Sequence, residues 1–231
     1  MSKVSIIIPV YNEGRTIKQV IDQIKNVDFG KIEKEVIIVD DGSTDKTQKV
    51  LKKVNDHAFR IIFKKTNSGK GSAVIEGLNA ATGDVITIHD ADLEYNPNDI
   101  PKLIKPIIEG KTKVVYGSRF KGKIENMTLP RIIANKFLTA FINLLYGSKI
   151  SDSCTCYKVF DSKMIKKFNL ECQGFEVCHE ITAKTLRKGY KISELPINYT
   201  ARSADLGVKS SWKDLVIGIG TILLYRFKKL S

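Results

Sequence analysis

Long apolar runs, secretion signals and biased composition are all missing from this sequence. No stretch reaches the roughly 18–20 apolar residues that span a bilayer, and the nearest, Leu215–Tyr225, is too short and is followed by Arg226. The first residues, MSKVSIIIPVYNE, have neither the long apolar run nor the small-residue cleavage site of a secretory signal. No internal repeat, low-complexity tract or composition typical of disordered, collagen-like or coiled-coil chains is present. A globular chain is therefore expected.

Cysteine and histidine are also scarce. The four cysteines are Cys154, Cys156, Cys172 and Cys178. Their spacing contains none of the usual Cys-x2-Cys pairs, so the sequence argues against a zinc site and favours reduced thiols in a cytosolic protein. The three histidines, His57, His89 and His179, have no nucleophile–base motif around them. We interpret all three as structural.

Positive charge, in contrast, is abundant. The 231 residues include 38 Lys and Arg against 25 Asp and Glu, a formal net charge of +13. Such an excess indicates a polyanionic partner, which could be nucleic acid, anionic lipid or a phosphorylated substrate. A nucleic-acid-binding module is expected to carry a basic stripe with interleaved aromatic residues. Because the basic residues here are scattered and the strand ends are acidic, no nucleic-acid partner is predicted.

The first half of the chain alternates apolar runs with stretches of helical periodicity. The runs Val4–Ile8, Val36–Val39, Val85–Ile88 and Val114–Tyr116 are almost entirely apolar. Such runs, spaced by helices, predict an α/β fold with a mostly parallel sheet covered by helices on both faces. Ligands bind such sheets beyond the carboxyl ends of the strands. We therefore look for a site in the segments that follow these runs.

Beyond residue 120 the alternation stops. Ile132–Leu145 and Trp212–Lys229 read as helices, and the second has apolar residues at near-helical spacing with basic residues near its ends. We expect one domain over residues 1–231 that ends in a C-terminal amphipathic helix (212–231). That helix could lie at a membrane interface or pack on the domain, and the sequence leaves both open.

Acidic residues follow the run that ends at Ile88. If the chain stays extended there, Asp90, Asp92 and Glu94 point to the same side, with the first two about 6–7 Å apart. Neighbouring carboxylates repel each other unless a cation lies between them. Their hard oxygen ligands suit Mg²⁺ or Mn²⁺. A divalent-cation site is predicted, with a solvated acidic turn as the alternative.

Two other polar segments follow strands. In Asp40-Asp41-Gly42-Ser43-Thr44 the hydroxyl residues can cap a helix, whereas the strand-end Asp40 could accept hydrogen bonds from a base or ribose. Asn67-Ser68-Gly69-Lys70-Gly71 is not a Walker A loop. It could still bring an ammonium and backbone N–H groups to a phosphate, or be an ordinary helix-opening turn.

Taken together, these segments resemble a known family. SIIIPVYNE, VDDGSTD, NSGKGSA, GDVITIHDADLEY and VVYGSRF, in this order, resemble the inverting family-2 glycosyltransferases of GT-A fold. DSCTCYKVF, EITAKTLRKGYKISELPINYTAR and GVKSSWKDL resemble more specifically the dolichyl-phosphate mannose synthase and polyprenyl-phosphate glycosyltransferase branch. The resemblance covers roughly residues 4–227. It implies a nucleotide-sugar-binding half (1–120), an acceptor half (121–211) and a membrane-interface helix (212–231).

The resemblance implies roles for individual residues. The residues implied to bind the nucleotide sugar are Pro9, Tyr11, Glu13, Asp40, Asp41, Lys70, Asp90, Ala91, Asp92, Arg119, Arg202 and Lys209, with Lys70 near the base and ribose. Asp90, Asp92 and Glu94 are implied to hold Mg²⁺ or Mn²⁺. Arg119, Arg131, Arg202 and Lys209 are implied to bind the donor diphosphate and acceptor phosphate, with Asp92, Arg119 and Arg131 expected to be catalytic.

The resemblance also implies the reaction and its setting. It predicts metal-dependent, inverting transfer of a hexose from a GDP-mannose or UDP-glucose type donor to a polyprenyl or dolichyl phosphate. The expected location is the cytoplasmic face of a membrane, reached by peripheral docking on anionic lipid, with a membrane-anchoring partner protein as an open alternative. The alternative reaction uses a sugar hydroxyl as acceptor, which needs a general base; Glu180 and Asp152 are the candidates.

Overall fold

The structure is a computed structural model and describes residues 2–202 and 212–229. The strands within these residues are β1 (Lys3–Val10), β2 (Glu33–Asp40), β3 (Phe59–Phe63), β4 (Val85–Ile88), β5 (Val114–Ser118), β6 (Ile124–Glu125), β7 (Lys158–Asp161), β8 (Ser193–Pro196) and β9 (Tyr199–Thr200). The helices are α1 (Ile17–Lys25), α2 (Thr47–Leu51), α3 (Lys70–Ala80), α4 (Ile100–Ile108), α5 (Leu129–Tyr146), α6 (Ser162–Ile165), α7 (Val177–Arg187) and α8 (Trp212–Phe227).

Seven strands form one twisted sheet in the order β3-β2-β1-β4-β7-β5-β8. All neighbours are parallel except β7, which runs antiparallel to both β4 and β5. Residues 4–8 of β1 and all of β4 are buried. Because successive side chains of a strand point to opposite faces, both faces of the sheet must be covered. The predicted mostly parallel α/β fold is confirmed.

A short 3₁₀ turn, Pro97–Asp99, precedes the helix that follows β4. The Asn96 side chain caps this turn by accepting a hydrogen bond from the Asn98 N–H at 3.0 Å. The regular helix α4 then begins at Ile100. A second proline, Pro101, lies in its first turn, where a missing N–H has no intrahelical partner to lose.

β7 places residues of the later chain at the centre of the sheet. Val159 pairs with Thr87 of β4 on one side and with Val115 of β5 on the other. The segment before β7, residues 151–157, therefore lies beside the loop that follows β4. Residues far apart in sequence are brought to the same sheet edge in this way.

Candidate active site

Segments that follow β1, β2 and β4 meet at a cavity of about 870 Å³. The opposite wall comes from α5, the first turn of α7 and the first turn of α8. Most of the predicted site residues line this cavity: Pro9, Tyr11, Glu13, Asp41, Lys70, Asp90, Ala91, Asp92, Glu94, Arg119, Arg131 and Arg202. Asp40 lies behind the wall, and Lys209 lies outside the described residues.

The acidic segment after β4 is a turn, so the expectation of an extended segment is wrong. β4 ends at Ile88, and Leu93 has a left-handed backbone with φ of 65°. This conformation is costly for a residue with a Cβ. It folds the chain back so that the Glu94 N–H donates to Asp92 Oδ1 at 3.1 Å. Asp92 and Glu94 are thus brought together by a strained turn.

Asp92 is the acid of this turn whose charged form is disfavoured by its surroundings. Burial raises its pKa to about 7, and the nearby carboxylates Asp90 and Glu94 add to the increase. A carboxylate in such surroundings is stabilised by proton uptake or by a cation. The cluster therefore has the charge and the oxygen ligands that a divalent cation requires.

Asp90 already has a cationic neighbour. Lys70 Nζ lies 2.6 Å from Asp90 Oδ1 and 5.6 Å from the centre of the Phe175 ring. Burial alone would raise the pKa of Asp90, but the ammonium of Lys70 outweighs it and lowers this pKa. Lys70 thus contacts the acidic turn, and its implied position near the base and ribose stays a prediction.

Glu94 joins the acidic turn to the later part of the chain. Its Oε2 accepts a hydrogen bond from the Tyr199 hydroxyl at 2.5 Å, and its Oε1 accepts from the Arg202 N–H at 3.1 Å. Arg131 Nη1 lies 3.8 Å from Oε1. Arg202 also reaches Glu13, with Nη1 3.4 Å from Oε1. Both oxygens of Glu94 therefore have protein partners, and two predicted phosphate-binding arginines lie beside it.

No group of three or more His, Cys, Asp or Glu side chains within residues 2–202 and 212–229 is arranged to hold a metal ion. Asp90 is paired with Lys70, and Glu94 with Tyr199. The raised pKa of Asp92 and the oxygen-only set of side chains nevertheless fit Mg²⁺ or Mn²⁺. The metal assignment of Asp90, Asp92 and Glu94 stays a prediction.

Arg119 is held rigidly at the cavity wall. It is buried, and its Nε and Nη2 donate to the two carboxylate oxygens of Asp152 at 2.7 and 2.8 Å. The Tyr199 ring centre lies 5.2 Å from the guanidinium carbon. A bidentate pair of this kind fixes both distance and plane. Arg119 therefore presents a guanidinium of fixed orientation.

Both candidate general bases for a hydroxyl acceptor are occupied. Asp152 is fully buried and, besides Arg119, accepts from the Cys154 N–H. Burial would raise the pKa of Glu180, but the ion pair with Lys184 and the N–H groups of Cys172 and Glu171 lower it. Neither carboxylate is placed to remove a proton from an acceptor in the cavity. This observation weighs against the hydroxyl-acceptor alternative.

The two aspartates after β2 have different surroundings. Asp41 accepts from the Ser68 and Gly69 N–H groups and from Lys64, so it holds the turn that leads into α3. Asp40 Oδ2 accepts from the Gln48 amide at 3.0 Å, while its buried Oδ1 has no hydrogen-bond partner among the described residues. Asp40 thus has one carboxylate oxygen without a hydrogen-bond donor among the described residues, but it is not one of the residues that line the cavity.

Sequence reasoning missed several residues that line the cavity. Tyr199, Phe175, Asn135, Leu138 and Leu215 all contact it. Tyr199 and Phe175 lie in segments without a strong periodic pattern, and only their aromatic character could have drawn attention to them. The other three come from α5 and α8, whose apolar pattern indicated helices and gave no information on which face meets the cavity.

The chain matches the family model for glycosyl transferase family 2 over residues 5–168. It is 31% identical to the UDP-N-acetylglucosamine–dolichyl-phosphate N-acetylglucosaminyltransferase of Methanococcus voltae, with 94% of this chain and 97% of that protein covered. It is 32% identical to the dolichol-phosphate mannosyltransferase of Pyrococcus furiosus, with 87% of this chain and 57% of that protein covered. The expected resemblance to the polyprenyl-phosphate branch is confirmed by these relatives.

Solved structures confirm the GT-A fold. Glucosyl-3-phosphoglycerate synthase from Mycobacterium tuberculosis, in complex with Mn²⁺, UDP and phosphoglyceric acid, superposes with a TM-score of 0.75 at 19% identity. The superposition covers 97% of this chain and 78% of that one. From the family match, the relatives and the fold together, the chain belongs to glycosyl transferase family 2 and is a glycosyltransferase.

Proposed function

We propose that this glycosyltransferase moves a sugar from a nucleotide-sugar donor to a polyprenyl phosphate, such as dolichyl phosphate, at a membrane surface. The observation that carries the proposal is that the cavity lining has two chemical parts, charged groups and apolar groups. One part has the acidic turn and the guanidiniums of Arg119, Arg131 and Arg202. The other is formed by apolar groups of α5 and α8, including Leu138 and Leu215. A diphosphate suits the first part and an isoprenoid chain suits the second.

The names of the two relatives support the choice of acceptor. Both transfer to dolichyl or dolichol phosphate according to their names, and they differ in the sugar. The comparison therefore supports a lipid-phosphate acceptor more strongly than any one donor. GDP-mannose, UDP-glucose and UDP-N-acetylglucosamine all remain to be tested.

The proposed reaction is a single displacement with inversion at the anomeric carbon. Asp92, with Asp90 and Glu94, would hold Mg²⁺ or Mn²⁺, which neutralises negative charge on the leaving diphosphate. Arg119 contributes a guanidinium whose orientation is fixed by Asp152. Preorganised cationic groups of this kind stabilise charge that develops in the transition state.

The acceptor is proposed to enter beside Arg131 and Arg202. A guanidinium binds phosphate oxygens in a bidentate manner, and both arginines lie beside Glu94 at the cavity wall. Because a lipid phosphate is already an anion, its attack needs no general base. The lack of a free carboxylate at Asp152 and Glu180 agrees with this acceptor. A contribution from Lys209 stays a prediction.

Membrane docking is proposed to involve α5 and α8. No helix among the described residues has the length and apolar character needed to cross a bilayer. The two helices contact each other and leave many large apolar side chains exposed. This α5–α8 apolar surface consists of Leu129, Ile133, Phe137 and Leu144 on α5 and Val216, Ile217, Leu223, Leu224 and Phe227 on α8. Apolar helix faces with basic residues beside them bind interfaces that contain anionic lipid.

The test is a transfer assay with a synthetic short-chain polyprenyl phosphate. Labelled GDP-mannose, UDP-glucose and UDP-N-acetylglucosamine are each supplied with Mg²⁺ or Mn²⁺, and label is measured in the organic-solvent extract. One donor is expected to give a lipid-linked product that depends on the divalent cation. Asp92→Asn should abolish most of this product, whereas Asp22→Asn, on the exposed face of α1, should not.

Water-soluble carbohydrate acceptors are assayed in parallel. Product with a carbohydrate acceptor, and none with polyprenyl phosphate under any donor, would contradict the proposed acceptor. Lipid-linked product that is unaffected by a chelator would contradict the proposed metal.

A further inference from the structure

One histidine at the cavity has no role in the proposed reaction. His179 lies in the first turn of α7 and is 7% exposed. It lines the same cavity as Asp92 and Arg119. From the sequence alone it was interpreted as structural, together with His57 and His89.

The imidazole of His179 has one buried nitrogen that no group of the protein satisfies. Its Nδ1 is buried and has no hydrogen-bond partner among the described residues. Leaving a buried polar group without a partner costs about 1–3 kcal/mol. The buried His89 differs in part: its Nδ1 lies 2.9 Å from the Tyr157 hydroxyl and the two rings stack, while its Nε2, like Nδ1 of His179, has no partner among the described residues. His179 therefore retains hydrogen-bonding capacity that the protein itself does not use.

The fold makes room for this ring at the junction of three helices. A Cβ atom added at Gly218 of α8 would lie 2.9 Å from His179 Nε2 and 3.5 Å from Leu138 Cδ2 of α5. Glycine at 218 thus lets α8 approach the imidazole closely. The ring is enclosed by α5, α7 and α8 on one side and lines the cavity on the other.

The charge state of His179 limits which chemical groups its imidazole can bind. Burial lowers its pKa to about 4, and the ammonium of Lys158 contributes to the decrease. The imidazole is therefore neutral at physiological pH and offers one donor and one acceptor. The phosphates of donor and acceptor have arginines as partners, and an isoprenoid chain forms no hydrogen bonds. The sugar is the neutral, hydrogen-bonding part of the proposed substrates that has no assigned partner.

We infer that His179 binds the transferred sugar of the donor through a hydrogen bond to a hydroxyl or acetamido group, and so contributes to the choice of sugar. This inference rests on the proposed function, since it assumes a nucleotide-sugar donor in this cavity. It adds a sugar-binding residue from α7 to the residues implied by the resemblance.

The first test is NMR of the untagged chain with ¹⁵N-labelled histidine, which gives ring signals from only three residues. UDP or GDP with Mg²⁺ is added first, and the matching nucleotide sugar is compared with it. The nucleotide alone should shift His89, which adjoins Asp90, and leave His179 nearly unchanged. The nucleotide sugar should shift the ring nitrogens of His179 in addition, and the exposed His57 should respond to neither.

The second test compares three variants at the same position. His179→Phe keeps an aromatic ring without hydrogen bonds, His179→Gln keeps a donor and an acceptor, and His179→Ala removes both. His179→Phe and His179→Ala should lower kcat/KM for the preferred donor about 10- to 100-fold, which corresponds to the loss of one buried hydrogen bond. His179→Gln should recover part of this loss. Affinity for the nucleotide alone, measured by calorimetry, should stay the same in all three.

Deoxy-sugar donors identify the group that His179 contacts. The wild-type chain should discriminate against one deoxy analogue, and His179→Phe should lose that discrimination. Gly218→Ala should weaken it as well, because the added methyl group displaces the ring; Gly220→Ala, whose Cβ would meet nothing within 4 Å, is the matched control.

Failure of the inference can be separated from failure of the proposed function. Absence of nucleotide binding and of any His89 shift would overturn the proposed function and the inference with it. Normal nucleotide binding and turnover with no sugar-dependent shift of His179 would overturn only the inference. A shift of His179 caused by polyprenyl phosphate alone would also overturn it, because the ligand would then be the acceptor.

Discussion

At the scale of single residues, the acidic turn after β4 has a cost that a cation can relieve. Asp92 is buried beside Asp90 and Glu94, and its pKa is raised to about 7. Between about pH 4 and pH 7 the folded chain therefore keeps a proton that the unfolded chain has already released. The stabilisation from this group is present at acid pH and is lost as the pH rises through about 7.

Asp92→Asn should consequently stabilise the chain at pH 8 when no divalent cation is present. The expected increase in free energy of unfolding is about 1–3 kcal/mol, or roughly 3–8 °C in Tm, and the difference should shrink toward pH 5. Mg²⁺ or Mn²⁺ should raise the Tm of the wild type and not that of the variant. Thermal unfolding followed by circular dichroism measures both effects.

Asp22→Asn serves as the control, because its carboxylate is exposed and pairs only with Lys18 among the described residues. This variant should differ little from the wild type at any pH. A lower Tm for Asp92→Asn than for the wild type at pH 8 would show that the carboxylate is already well satisfied in the protein.

The Arg119–Asp152 pair gives a second prediction at this scale. Asp152→Leu leaves a buried guanidinium without its partner and should destabilise the chain by about 3–5 kcal/mol. The double variant Arg119→Met with Asp152→Leu should lose clearly less free energy of unfolding than the two single variants lose together. Urea unfolding of the four chains measures the coupling.

The exposed pair Lys18–Asp22 is the matched control for that cycle. Its coupling should be about 0.3–0.5 kcal/mol, as for other exposed pairs one turn apart on a helix. A coupling of similar size at Arg119–Asp152 would mean that the buried pair does not constrain the guanidinium.

Sequence reasoning identified the acidic residues of the site but not the side chains that pair with them. Asp90 and Asp92 could be identified because they follow a buried strand. The pairing of Asp90 with Lys70, and of Glu94 with Tyr199, could not be predicted. Both contacts join segments that no local pattern relates. The left-handed backbone conformation of Leu93 could not be predicted either, because a leucine in the sequence does not indicate it.

At the scale of elements, periodicity located the helices well. Predicted Ile132–Leu145 corresponds to α5, and predicted Trp212–Lys229 to α8. Periodicity could not show which apolar residues stay exposed, because both helices have apolar side chains on more than one face. Leu144 of α5 is 80% exposed, whereas Ile142, two residues earlier, is fully buried. The distinction depends on packing against α7 and on the contact between α5 and α8.

Vesicle binding should depend on the α5–α8 apolar surface. The double variant Leu144→Gln with Phe227→Gln should reduce partitioning onto vesicles that contain anionic lipid by at least about 100-fold, since full burial in lipid is worth about 1.5–3 kcal/mol for each side chain and about 3–6 kcal/mol for both. Flotation on a density gradient measures the bound fraction. The Tm of the double variant should change little, because both side chains are exposed.

Phe63→Gln is the matched control, because Phe63 is an exposed aromatic residue on β3, outside this surface. It should bind vesicles like the wild type. Equal binding by the double variant and the wild type would remove α5 and α8 from the membrane contact.

At the scale of the whole molecule, the sheet is not assembled in chain order. The sequence predicted an α/β fold with a mostly parallel sheet. It gave no indication that β7 lies between β4 and β5 and runs antiparallel to both. Strand order depends on the long connection through α5, and contacts of high sequence separation leave no local pattern.

A chain cut after residue 120 should therefore fail to form a stable nucleotide-binding half. Without β7, the edges of β4 and β5 lack their shared partner, and unpaired edges promote aggregation. A fragment of residues 1–168, which includes β7, should show a cooperative thermal transition below that of the full chain. The fragment of residues 1–120 should show none and should elute as aggregates in size-exclusion chromatography. A cooperative transition in the shorter fragment would mean that β4 is stable without β7.

The position of β7 has a consequence during biosynthesis. The strand that precedes the acidic turn leaves the ribosome about 70 residues before β7 does. At about 5–20 residues per second, the edge of β4 that pairs with β7 therefore stays unpaired on the nascent chain for roughly 4–14 s. Translation speed between the codons for residues 90 and 160 should therefore affect the yield of native enzyme, and a chaperone that covers exposed strands should matter most in this interval.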